Sequence, residues 1–110
     1  MSGIFVLKRS GTQFMFNLAS AGNGQVVLTS ERYTTKQGAQ GGIAAVKLNA
    51  PYDVRYRRLM SSNSLAYFTL HAANGEVVGT SELYSSTHAR DAGIDWVKVN
   101  APTAPTSDQS

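Results

Sequence analysis

The sequence predicts a single α+β domain: two tandem β-β-β-α repeats sharing one antiparallel sheet, both helices packed on one face, with pseudo-twofold symmetry between the copies. Three observations predict it. First, Asn23-Gly24-Gln25-Val26-Val27-Leu28-Thr29-Ser30-Glu31-Arg32-Tyr33 returns as Asn74-Gly75-Glu76-Val77-Val78-Gly79-Thr80-Ser81-Glu82-Leu83-Tyr84, an offset of 51 residues. Second, Gly42-Ile43-Ala44-Ala45-Val46-Lys47-Leu48-Asn49-Ala50-Pro51 returns as Gly93-Ile94-Asp95-Trp96-Val97-Lys98-Val99-Asn100-Ala101-Pro102 at the same offset. Third, the apolar period changes within each copy from two residues to three or four, so each copy passes from strand to helix. A unit of about 50 residues buries too little surface alone, so the copies must complete one core. The expected domain is 1–102, with repeat one at 3–51, repeat two at 52–102 and a flexible tail at 103–110.

Taken in order, Ile4–Arg9 is an apolar first strand. Its counterpart is placed at Tyr56–Ser61, allowing one gap at the hairpin. Phe14, Phe16 and Leu18 alternate with Met15 and Asn17, as Ala66, Phe68 and Leu70 alternate with Tyr67 and Thr69: the pattern of half-buried strands. Asn23-Gly24 and Asn74-Gly75 follow as hairpin turns in which both residues would take positive φ. Repeat one is a residue longer there, an insertion a turn or bulge can absorb. Gln25–Ser30 and Glu76–Ser81 are the partner strands. Thr34-Thr35 and Ser85-Ser86-Thr87 then offer hydroxyls to free helix amides. Helices are expected at 36–48 and 88–99, with Ala39, Ile43 and Val46 on one face and Ile94 and Val97 at equivalent places. Gly42 and Gly93 recur despite a helix penalty of about 1 kcal/mol, which implies close packing. Asn49 and Asn100 suit left-handed C-caps, and Pro51 and Pro102 stop continuation. The tail after Pro102 is rich in Pro, Ser and Thr and is expected to fray.

The motif Asn-Gly-x-Val-Val-x-Thr-Ser-Glu-x-Tyr, a hydroxyl-capped helix and Gly-Ile-x-x-Val-Lys-x-Asn-Ala-Pro together resemble the YegP-like family of small, mostly bacterial proteins. The resemblance covers residues 3–102 in both copies. It implies a tandem β(3)-α-β repeat in which a strand after each helix crosses to the other repeat's sheet region. It also implies that single-copy members build the unit as homodimers. It brings no agreed activity, catalytic residue or cofactor. This chain departs from the pattern at Gly41-Gly42 inside the first helix and in its short Pro-rich tail.

Composition narrows the function classes. A hydrophobic fraction of 42% with 15% charged residues fits a folded domain. The absence of cysteine removes disulfides, thiolate metal sites and cysteine nucleophiles. No segment reaches the roughly 18 apolar residues of a membrane span, and the start carries no leader pattern, so the expectation is a cytoplasmic protein with no membrane partner. The net charge of +3 is uneven, +4 over residues 1–51 and −1 over the rest.

No catalytic, cofactor or metal residues are assigned. His71 and His88 lack counterparts in the other copy and lie in no motif, and a zinc site needs three or four clustered ligands. Glu31 and Glu82 are the repeated acids; they read as turn-holding groups beside helix N-termini rather than an acid–base pair. The glycine-rich stretch Gly38-Ala39-Gln40-Gly41-Gly42 lies within a helix and lacks the Gly-Lys-Ser/Thr ending of a phosphate loop. Trp96, opposite Ala45 in the alignment, reads as packing. The contact candidates are Lys8, Arg9, Arg55, Arg57 and Arg58, on or beside neighbouring strands with Tyr56 interleaved. A basic, aromatic sheet can track a single strand of nucleic acid, but Arg57 and Arg58 should point to opposite faces. The expected function is that of a non-enzymatic interaction or stress-associated accessory module with a protein partner of unknown identity. A homodimer is one alternative partner, and weak single-stranded nucleic-acid binding is the alternative function.

Overall fold

The computed structural model describes residues 2–110. The strands are β1 (Gly3–Ser10), β2 (Gln13–Ser20), β3 (Val26–Thr29), β4 (Tyr56–Met60), β5 (Ala66–His71), β6 (Val77–Ser81) and β7 (Thr106–Asp108); the helices are α1 (Lys36–Asn49) after β3 and α2 (Thr87–Asn100) after β6. All seven strands form one sheet in the order β4-β5-β6-β3-β2-β1-β7. Each repeat is an antiparallel meander followed by its helix, and the two meanders meet at β3 and β6, where Leu28 faces Ser81 and Thr29 faces Thr80. Thr29 and Thr80 are equivalent residues, so the pseudo-twofold axis passes between them.

Two expectations are corrected here. The sheet is mixed rather than antiparallel, and the tail does not hang free. After a 3-10 turn at Ala101–Thr103, β7 runs parallel to β1, with Phe5, Val6 and Leu7 facing Thr106, Ser107 and Asp108. The Phe5 amide donates to the Pro105 carbonyl at 2.8 Å and the Gln109 amide to the Leu7 carbonyl at 2.8 Å. A Pro/Ser/Thr composition hides this strand, because parallel pairing needs only main-chain groups and Ala101 and Ala104 anchor the turn in the core.

The first-strand alignment is also corrected by one residue. Phe5 pairs with Leu18 and Tyr56 pairs with Leu70, so Tyr56 is the equivalent of Phe5, not of Ile4. The ring centroids agree: Phe5–Phe16 and Tyr56–Phe68 are both 5.8 Å apart. The extra residue sits in the β4–β5 turn, where Ser61 and Leu65 close the loop and Ser64 takes φ 65°. A one-residue slip in a strand exchanges its faces, so the correction decides which way every β4 side chain points.

Both helices cover the same face. Phe5, Leu7, Phe16, Leu18, Leu28, Tyr56, Phe68 and Leu70 project from the strands onto Ala39, Ile43 and Val46 of α1 and Ile94 and Val97 of α2. Thr35 and Ser86 cap the helices, their hydroxyls accepting from the Gly38 amide at 2.9 Å and the Ala89 amide at 3.0 Å. The asparagines behave otherwise than expected. Asn49 and Asn100 remain helical, and their side-chain amides donate back to the carbonyls of Ala45 and Trp96. In the β2–β3 and β5–β6 hairpins, of each Asn-Gly pair only the glycine, Gly24 or Gly75, takes positive φ. Asn23 and Asn74 instead accept a hydrogen bond from the Gln25 and Glu76 amides, an Asx turn.

Tyr33 and Tyr84 explain the helix glycines. Each tyrosine exchanges two main-chain hydrogen bonds with the start of a strand, Tyr33 with Phe14 and Tyr84 with Ala66. Each ring then stacks on a core phenylalanine, with the same 6.4 Å separation and 14° tilt in both copies. The ring lies against the helix: a methyl group at Gly42 would meet Tyr33 Cζ at 2.7 Å, and one at Gly93 would meet Tyr84 Cζ at 2.9 Å.

Candidate functional site

Both helices pack on one face of the sheet, and among the described residues no helix covers the opposite face. Register fixes its membership. Residues that alternate with the core positions are Ile4, Val6 and Lys8 on β1, Met15 and Asn17 on β2, Thr29 on β3, Thr80 on β6, Tyr67 and Thr69 on β5, and Arg57 and Leu59 on β4. Its centre is polar and internally bonded. Asn17 Nδ2 donates to Thr29 Oγ1 at 3.0 Å, and Thr69 Oγ1 lies 2.7 Å from His71 Nε2. Its two wings are apolar and half-buried: Ile4, Val6 and Met15 on one, Leu59 and Tyr67 on the other. Lys8 and Arg57 are exposed on these wings, and no acidic side chain is carried by the strand positions of this face.

The five basic candidates do not form one track. Lys8 and Arg57 share the open face, but β1 and β4 stand five strand steps apart, about 24 Å. Arg9 projects to the helix side, its guanidinium 5.0 Å above the Phe14 ring. Arg58 also points there and is neutralised by Asp53 at 3.0 Å and Asp91 at 3.4 Å. Arg55 precedes β4 and donates from Nε to Asn49 Oδ1 at 3.1 Å.

The repeated carboxylates are separated. Because β3 and β6 are antiparallel about Thr29 and Thr80, Glu31 and Glu82 leave the axis in opposite directions and end about 13 Å apart along the strands. Both are exposed. Their electrostatic reach is onto the tyrosines. Burial, then Glu31 and Glu76, push the Tyr33 hydroxyl above its ordinary pKa, and burial with Glu82 does the same at Tyr84. Burial raises Tyr56 further; its hydroxyl donates to the Ala50 carbonyl at 2.7 Å. These are phenols held protonated, unsuited to act as bases. Among the described residues no cluster of three or more His, Asp or Glu could hold a metal ion.

Trp96 lies half-buried beside a cavity of about 230 Å³ between α2 and the β2–β3 hairpin, with Tyr84 and Gln25 on its walls. A second cavity of about 170 Å³ opens beside the start of β4, between Arg55, Arg57 and the β5–β6 hairpin. Neither is lined by Glu31 or Glu82. One feature is invisible to the repeat comparison: Arg90 occupies the buried position of Ala39 and pairs with Asp91 at 3.0 Å. It closes a chain of charges, Lys98–Asp53–Arg58–Asp91–Arg90, that ties α2 to β4.

Comparison with known proteins agrees with this architecture. A family model described as a domain of unknown function, DUF1508, matches the chain twice, over residues 10–56 and 61–108. A UPF0339 protein of Bordetella pertussis is 60% identical over 110 residues, covering 100% of this chain and 98% of the relative. The UPF0339 protein YegP of Escherichia coli K12 is 43% identical over 111 residues, covering 100% of both. Among solved structures, the solution NMR structure of a UPF0339 protein from Shewanella oneidensis superposes with a TM-score of 0.90 at 49% identity, covering 98% of this chain and 92% of that one. The solution NMR structure of YegP from E. coli, titled a protein of unknown function, superposes with a TM-score of 0.91 at 42% identity, covering 99% and 94%.

Proposed function

The chain belongs to the YegP-like UPF0339 family, with one DUF1508 unit in each half, and on that premise we propose that it is a non-catalytic binding module of the cytoplasm that docks an acidic, partly apolar protein surface on its open sheet face. One observation carries this reading. The open face alternates half-buried apolar side chains with the exposed cations Lys8 and Arg57 and bears no carboxylate on its strands. Apolar contacts supply affinity, and unpaired positive charge selects for an acidic partner and speeds encounter. The dispersal of the basic residues argues against nucleic acid as the main ligand, since a backbone track needs adjacent cations. Among the described residues no helix is long and apolar enough to cross a membrane.

The test is capture from native lysate on the immobilised chain, with and without nuclease, comparing the wild type with Val6→Glu/Leu59→Glu on the open face and Leu48→Glu on exposed α1. A partner that survives nuclease, persists with Leu48→Glu and is lost with the open-face variant supports the reading. Loss of every partner on nuclease treatment transfers it to nucleic acid, and retention by the open-face variant removes it.

A further inference from the structure

We propose that Arg55, Arg57 and the β5–β6 hairpin form an anion site that takes a single phosphoryl group. The ligand proposed is different from that of the docking face, although Arg57 belongs to both. Its volume of about 170 Å³ is below the 300 Å³ or more of sites for drug-sized ligands and suits one tetrahedral oxyanion with water. Arg55 and Arg57 line it, together with Val54, His71 and the small residues Ala72, Ala73 and Gly75.

The case rests on charge left over after pairing. The two carboxylates nearest β4 on its helix side, Asp53 and Asp91, are committed elsewhere. Asp53, two residues before Arg55, accepts from Lys98 at 2.7 Å and Arg58 at 3.0 Å. Asp91 takes Arg58 and Arg90. Glu76, beside Gly75, is exposed and is not among the residues that line the cavity. Among the described residues no acid lines the cavity. Arg57 is exposed and makes no ion pair or side-chain hydrogen bond among the described residues. Arg55 is oriented rather than neutralised. Its Nε is used by Asn49, whose own amide is fixed to the Ala45 carbonyl, and its terminal nitrogens remain available. A guanidinium fork of this kind is the usual partner of phosphate oxygens. His71 is a wall, not a donor to the ligand. Its Nδ1 bonds the Gly75 carbonyl at 2.9 Å and its Nε2 lies 2.7 Å from Thr69 Oγ1.

The duplication supplies an internal control. By strand pairing, the equivalents of Arg55, Arg57 and His71 are Ile4, Val6 and Ala19. That corner of repeat one is apolar and is flanked by β7. The same backbone is cationic and open only in repeat two.

Titration of the full chain with inorganic phosphate, glycerol phosphate and a short single-stranded oligonucleotide, followed by amide and arginine NMR shifts at constant ionic strength in chloride, tests the proposal. Saturable shifts centred on Arg55, Arg57 and Gly75 are expected, with affinity about tenfold weaker in Arg57→Gln and unchanged in Lys8→Gln, which removes the same charge five strands away on the same face. Binding of glycerol phosphate without the oligonucleotide assigns a monoester, and tighter binding of the oligonucleotide assigns a phosphodiester; each supports the site. Equal weakening by Lys8→Gln, or shifts that grow linearly without saturation, overturns it. Thermal unfolding of Arg57→Gln, expected to match the wild type, separates lost binding from lost fold.

Discussion

Leu28 occupies the space that a side chain at position 79 would need: a Cβ added to Gly79 would stand 2.6 Å from Leu28 Cδ2. The two residues are equivalents in the duplication, one on each side of the axis through Thr29 and Thr80. Identical residues on a twofold axis collide if large and leave a hole if small. The chain resolves this by carrying leucine in one copy and glycine in the other, so the symmetry of the backbone is broken where the halves touch.

Leu28 is fully buried, and Leu28→Gly is expected to destabilise by about 3–5 kcal/mol through cavity formation. Gly79→Leu is expected to cost at least about 1–3 kcal/mol through overpacking. The exchange Leu28→Gly/Gly79→Leu restores one leucine per axis and should recover about 1–3 kcal/mol relative to the sum. Urea unfolding of the four proteins measures the coupling; strict additivity would refute the steric account.

The adjacent glycines Gly41 and Gly42 should respond to alanine with opposite signs. Nothing lies within 4 Å of a methyl at exposed Gly41, so the helix gains about 0.5–1 kcal/mol. A methyl at Gly42 meets the Tyr33 ring and, at 3.0 Å, buried Phe16, and this overlap of about 1–3 kcal/mol outweighs the propensity gain. Thermal unfolding of the two variants distinguishes them directly.

Acid should weaken the fold through Asp53 and Asp108. Hydrogen bonds from Lys98 and then Arg58 hold Asp53 down to about 2, and Lys36 with Ser110 holds Asp108 down to about 2, against an ordinary 3.8. A carboxylate lowered in the folded state contributes stability that is fully present above about pH 4 and is lost as pH falls towards 2. Both groups are solvent-exposed, so the effect is small and salt-sensitive. Melting temperatures between pH 5 and 2 should fall less steeply in Asp53→Asn/Asp108→Asn than in the wild type.

Lys36→Ala removes the 2.5 Å ion pair between α1 and β7. Exchange should accelerate at the Phe5 and Gln109 amides, which bond across β1 and β7, while core amides and the global unfolding midpoint stay near the wild-type values. Unchanged exchange at Phe5 and Gln109 would show that Ala101 and Ala104, rather than the ion pair, hold the strand.

The sequence revealed most of the architecture because duplication supplies a second reading of every element. The helix faces at Ala39, Ile43 and Val46, the Thr35 and Ser86 caps and the strand alternation around Phe16 and Phe68 all follow from local pattern. What local pattern could not supply was register and long-range pairing. The one-residue shift of Tyr56 depends on a turn whose length is visible but whose geometry is not. β7 is three residues held by main-chain bonds, which leave no mark on composition. Arg90 at a core position breaks the apolar period it sits in. The basic residues were legible as a set, but their grouping was not. Only the ion pairs of Asp53 and Asp91 show that Arg58 is spent while Arg55 and Arg57 remain unpaired.

The tail strand has a consequence for stoichiometry. One lateral end of the sheet is sealed by a three-residue strand too short to template further pairing. The other end, β4, has no strand beyond it among the described residues. Copies that associate strand to strand therefore have a single usable end each. Two molecules joined through β4 present only sealed ends to solvent, so assembly by this route terminates at a pair and cannot propagate into a fibre.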